Sequence, residues 1–224
     1  MSQLSYVVVS TPRSGTGWAH AVYTAMGLRC GHEAHFHYGK QQWACVSMPE
    51  VWGDSSWMAA PFIPELPPGT VVLHQVRNPV ASVASMAGHF AKWGEWDDPY
   101  IAFMMRRMPG VMPDAPPGEA GAVARAAHFW AAWHRMIESA ALSRADIRYA
   151  RYRIEDAADA VAGNYELVTG RVPGPETVSS ALASAGTRRN AWRAAKPTVD
   201  PARLPEHMLR LARAYGYDTK GRQE

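Results

Sequence analysis

A chain of 224 residues with 47% hydrophobic and 19% charged residues argues for a globular domain with a stable core that needs no staples, and against a disordered tract. The net charge of +3 is too small to call for nucleic acid, yet it suits an anionic small molecule if the positive groups converge in one cleft. Cys30 and Cys45 make no C-x-x-C pair, the N-terminus lacks a basic start followed by a long apolar run, and no segment approaches 18 uninterrupted apolar residues, so a cytoplasmic protein without a membrane partner is expected.

In chain order, residues 5–10 carry a β-branched run that predicts a strand, and a Pro/Ser/Gly turn follows it. Apolar side chains at Trp18, Val22, Tyr23 and Met26 then fit a helix over 16–27. LRCGHEAHF (28–36) reads as a second strand, and TVVLHQV (70–76) as a third whose near-continuous apolar character fits a strand covered on both faces. Pro79 stands where a helix start tolerates proline, and VASVASMAGHFAKW (80–93) continues as a helix. The segment 109–119 is a proline-rich loop. Phe129, Trp130, Trp133 and Ile137 give a long helix over 122–142 its core-facing stripe. IRYARY (147–152) reads as a further strand, and LPEHMLRLARAYGYD (204–218) as a C-terminal helix that ends at Gly216. The expectation is an α/β fold with a central, mostly parallel sheet flanked by helices, built as a single domain over residues 1–224 with the proline-rich loop as an excursion.

The stretch VVVSTPRSGTGWAHAVYTAMG (7–27) raises the question of a ligand, because a loop joining a strand to a helix N-terminus offers unpaired N–H groups and the positive end of the helix dipole to an anion. A nucleotide-triphosphate loop is written G-x-x-x-x-G-K-[ST]. In this chain Thr16 takes the lysine position after Gly15, Ser10 stands where the opening glycine belongs, and the basic residue, Arg13, precedes the turn. A small-molecule or nucleotide kinase is therefore disfavoured, and a non-catalytic nucleotide-binding module is the other alternative; a glycine-rich turn with no ligand is the bland one.

Pro12-Arg13-Ser14-Gly15-Thr16-Gly17-Trp18 resembles the 5′-phosphosulfate loop of the sulfotransferases that use 3′-phosphoadenosine-5′-phosphosulfate (PAPS), in which a Lys or Arg precedes S-G-T. QVRNPVASVASM (75–86) is similar to that family's 3′-phosphate site, with Arg77 closing a strand and Ser85 eight residues on. An arginine fork and a serine hydroxyl are sound phosphate donors, although Arg77 in a surface ion pair and Ser85 as a packing residue are equally ordinary. The resemblance implies a P-loop-like sulfotransferase architecture. It further implies PAPS as donor, its desulfated product PAP, no metal, and a hydroxyl or amine of a small molecule or carbohydrate as acceptor. Arg13 and residues 14–18 would bind the 5′ end, and Arg77 and Ser85 the 3′-phosphate.

If residues 31–37 are extended, Glu33, His35 and His37 share one face. The heparan-type members of the family have a similar Glu-x-His-Phe stretch with the glutamate as base, so the match implies Glu33 as base and His35 as its neighbour or alternative. A zinc site on His-x-His and plainly packed histidines stand beside that reading. Trp43, Trp52, Trp57, Trp93 and Trp96 either wall an acceptor cleft or fill the core, and Arg188 and Arg189 either close over the 3′-phosphate or sit in a solvated basic loop.

Overall fold

The structure, a computed structural model, describes residues 5–36, 53–90, 110–111, 118–186 and 197–219. Strands β1 (Tyr6–Val9), β2 (Gly31–His32), β3 (Gly53–Ser55), β4 (Val71–Val76) and β5 (Arg148–Arg153) make one five-stranded sheet in the order β2-β3-β1-β4-β5, and every pairing is parallel. The helices of the described residues are α1 (Thr16–Ala25), α2 (Pro79–Phe90), α3 (Glu119–Leu142), α4 (Ala157–Thr169), α5 (Pro175–Ala185) and α6 (Glu206–Ala214). The chain groups into two compact units, Met1–Val76 with Met136–Ala191 and Arg77–Arg135 with Trp192–Glu224.

The whole sheet belongs to the first unit. Tyr6 and Val8 of β1, Val71 and Leu73 of β4 and Tyr152 of β5 alternate onto one face, where they pack with Ala19, Val22 and Tyr23 of α1, Val161 of α4 and Val178, Ala181 and Ala185 of α5. Each large side chain buried there contributes about 1.5–3 kcal/mol relative to exposure. The opposite face is equally dry, with Val7, Val9, Val72 and Val76 fully buried, and that two-sided burial explains an apolar run without alternation. Parallel pairing sets Val8 beside Leu73 and Tyr6 beside Gly53. A Cβ at Gly53 would lie 2.2 Å from the Tyr6 ring, so β3 approaches β1 only because that position is glycine. Helix α1 ends in a left-handed Gly27 (φ 82), whose N–H donates to Thr24 C=O (3.0 Å) while Leu28 N–H reaches Tyr23 C=O (3.0 Å).

In the second unit, Asn78 caps α2 by accepting from Ala81 N–H (3.1 Å), and Pro79 takes the first helical position as the sequence predicts. Trp130 of α3 is buried against His134 (4.6 Å between ring centres), and Tyr215 meets His134 edge-on at 5.8 Å. Helix α6 closes with the same motif as α1: Gly216 (φ 82) donates to Arg213 C=O (2.9 Å) and Tyr217 to Ala212 C=O (3.0 Å).

The main departure from the sequence reading lies at residues 28–36. Only Gly31 and His32 pair as a strand, and Glu33 turns left-handed (φ 52), which removes the shared face assigned to Glu33 and His35. The cause is the buried Asp54, whose carboxylate accepts the N–H groups of Ala34 (3.2 Å), His35 (3.0 Å) and Phe36 (3.1 Å) and curls the chain around itself. The three-residue strand β3 and the helices α4 and α5 are additions to the sequence reading. His37, Cys45, Arg188, Arg189, the tryptophans at 43, 52, 93 and 96 and most of the proline-rich loop lie outside the described residues.

Candidate functional site

The turn after β1 is assembled from short polar side chains folded inward. Ser10 Oγ donates to Thr11 C=O (2.8 Å), the Thr11 and Ser14 hydroxyls share a 2.6 Å hydrogen bond, and Ser14 N–H closes onto Thr11 C=O (3.3 Å). Arg13 (φ 65) and Gly15 (φ 95) are both left-handed, so the chain reverses sharply around the buried Ser14 before α1 begins. For an arginine that conformation costs about 1–2 kcal/mol, a strain of the kind that collects at ligand-binding sites. Gly15 is the N-cap of α1 and has no side chain to cap it; the first helical bond runs from Ala19 N–H to Gly15 C=O (3.0 Å). The N–H groups of Thr16, Gly17 and Trp18 belong to the first turn, which has no intrahelical acceptor and carries the positive end of the dipole. A glycine corner and a first helical turn, with the half-buried Arg13 beside them in the chain, are an arrangement that can receive a tetrahedral anion.

Two further layers hold this turn. From below, Gln75 Nε2 donates to Ser14 C=O (2.6 Å). From the side, Ser55 Oγ donates to Thr16 C=O (2.8 Å), and the Ser55 carbonyl accepts Glu33 N–H (3.2 Å), so one residue of β3 ties the β1–α1 turn to the loop of the candidate base. His32 Nε2 stands 3.3 Å from the Thr16 hydroxyl, and its ring lies 3.6 Å from where a Cβ would sit on Gly17. His20 Nδ1 faces the Cys30 carbonyl at 2.7 Å, which accepts only, so this nitrogen carries the proton. Burial, and then the neighbouring His20, lowers the His32 pKa.

Burial raises the Glu33 carboxyl above the ordinary range, the negative Asp54 adds to the rise, and the Trp57 indole N–H, which donates to it, pulls in the opposite direction. A carboxyl moved toward neutrality suits a group that must take up a proton near pH 7. His35 is lowered by burial, and its ring meets Phe36 edge-on at 4.7 Å. Asp54, which sequence reasoning passed over, is occupied by three backbone N–H groups and serves as the anchor of this loop. Its signal was the polar run GDSS in an apolar neighbourhood, since buried polar groups need partners.

Of the residues singled out from sequence, the structure therefore gathers Arg13, Ser14, Gly15, Thr16, Gly17 and Trp18 at one turn, with the Glu33–His35 loop tied to it through Ser55. The Ser14 hydroxyl points inward, and Trp18 packs against the helix-side core. Arg77 and Ser85 belong to the second unit: Arg77 is the residue after β4, and Ser85 is a buried residue of α2. Among the described residues, no three His, Cys, Asp or Glu side chains converge as a metal site, and no helix is long and apolar enough to cross a membrane. No family model matches the chain, and neither does any curated protein or solved structure.

Proposed function

We propose that this chain is a PAPS-dependent sulfotransferase, acting in the cytoplasm on a hydroxyl or amine of a small-molecule or carbohydrate acceptor. The observation that carries the reading is the β1–α1 turn, where a left-handed glycine N-cap and a left-handed arginine surround a helix N-terminus with threonine in the lysine position. When bound, the nucleotide supplies the activated sulfuryl group. Arg13 and the first-turn N–H groups hold the phosphosulfate and stabilise the charge on the departing phosphate oxygen. Arg77 and Ser85 take the 3′-phosphate, as the family resemblance assigns. Glu33 accepts the proton of the acceptor as its oxygen or nitrogen bonds to sulfur, and its raised proton affinity supports that role. Like phosphoryl transfer, the step relies on positioning and charge stabilisation more than on covalent help from the protein.

The test is transfer of labelled sulfate from PAPS to a library of hydroxyl and amine acceptors. The reading expects at least one labelled product, lost in Arg13→Ala. Label that reaches no acceptor, from a protein that binds the nucleotide, would point to a binding module instead.

A further inference from the structure

Beneath the anion turn runs a line of buried polar groups that a sheet core does not need for packing. Asn164 Nδ2 of α4 donates to Tyr23 Oη of α1 (2.9 Å), Tyr152 Oη of β5 donates to Gln75 Oε1 of β4 (2.6 Å), and Gln75 Nε2 donates to Ser14 C=O (2.6 Å). All five residues are buried. The Ser14 carbonyl only accepts, so it fixes which end of the Gln75 amide faces it. That choice makes Tyr152 the donor to Gln75. Between Tyr152 and Ser14 each hydrogen has one place, and the pair of bonds carries no charge.

The peptide bonds are trans, so a carbonyl and the following N–H point in opposite directions. With Ser14 C=O held down onto Gln75, the N–H of Gly15 is turned away from the core, toward the mouth of the turn. We infer that Gln75, aligned by Tyr152, is a positioning residue that aims the backbone donors of the β1–α1 turn at the anion. This rests on the reading of that turn as an anion site. It goes further by assigning the turn's preorganisation to one amide and one phenol that touch no ligand.

The experiment is Gln75→Glu in the full chain, read between pH 5 and pH 9 by the Gly15 amide resonance without ligand and by PAP affinity. Protonated, the introduced carboxyl still donates to Ser14 C=O and accepts from Tyr152; ionised, it sets negative oxygen against that carbonyl. Gly15 should therefore resonate at its wild-type position near pH 5 and move away near pH 9, while PAP binding falls by about tenfold relative to wild type at the alkaline end. The other titratable groups along the line stay protonated throughout: burial raises Tyr23 and Tyr152, and pushes Cys30 up to about 12. His20, His32, Glu33, Asp54 and the charged Arg13 are common to both proteins, so the comparison cancels them.

A Gly15 resonance and PAP affinity that track wild type from pH 5 to pH 9 would overturn the inference. If Gly15 moves as expected but wild type binds no PAP at any pH, the positioning role stands and the proposed ligand falls. Should Gln75→Glu not fold, Tyr152→Phe serves: it frees the Gln75 amide to turn, and an unchanged Gly15 resonance in that variant is equally fatal.

Discussion

Replacing Gly15 by alanine strains the turn in two separable ways. At φ 95 a Cβ is disfavoured outright, a cost of about 1–2 kcal/mol. The new methyl would also lie 2.6 Å from Ile154 Cδ1 and 3.2 Å from Gln75 Nε2. Ile154 must shift its terminal carbon against its packing, and Gln75 is held at both ends by Tyr152 and Ser14, so overpacking at the two side chains adds about 1–2 kcal/mol. Gly15→Ala should then lower the unfolding free energy by about 2–4 kcal/mol, seen as a fall in the urea midpoint at constant slope. Ile154→Val removes the closest atom, so in that background the same substitution should cost about 1 kcal/mol less, an interaction that a double-mutant cycle isolates. A loss below about 0.5 kcal/mol, or a cycle with no coupling, would refute this picture of the turn.

Asp54→Asn leaves buried N–H groups of residues 34–36 facing an amide, and should cost at least about 2 kcal/mol by urea unfolding. Where that variant retains activity, loss of the Asp54 charge lowers the Glu33 pKa, so the acid limb of the pH–rate profile should move to lower pH; an unmoved limb contradicts the coupling. Glu33→Gln should abolish sulfuryl transfer and leave PAP affinity unchanged, whereas persisting turnover would remove Glu33 as the base. Because the folded-state pKa of Glu33 is raised, its contribution to stability is complete below the unfolded carboxylate value and is lost as pH rises through the folded one. Glu33→Gln should accordingly gain stability over wild type as pH rises above the unfolded carboxylate value of about 4.3, read as the difference in urea midpoints. Arg77→Ala should weaken PAP by about 1.5–3 kcal/mol in calorimetry while sparing adenosine 5′-phosphosulfate. Equal loss of both would contradict the 3′-phosphate assignment.

Legibility in the sequence followed the strength of local signals. β1 and β4 lie within a residue or so of their expected spans, because β-branched runs between turn residues fix a buried strand without help from the rest of the chain, and β5, RYARYR, does so through its two strand-favouring tyrosines. The turn at 10–16 was equally plain, since glycine and proline report backbone geometry directly. By contrast, β3 consists of Gly53, Asp54 and Ser55, which have no intrinsic preference for extension, and it is a strand because β1 and β2 pair with it on both sides. The stretch after His32 looked extended by alternation and is bent by a carboxylate twenty residues further on, a partner that no local pattern announces. Gln75 did leave a trace: a single amide in an apolar strand buried on both faces must find partners, and its partners prove to be the turn itself.

On the proposed function, the β1–α1 turn is built for a nucleotide carrying sulfate rather than for a triphosphate. Calorimetric titration of the full chain with PAP and, separately, with ATP tests it most directly. The chain should bind PAP, bind ATP at least about tenfold more weakly, and lose the PAP signal in Arg13→Ala. No heat with PAP, or tighter binding of ATP, would contradict it.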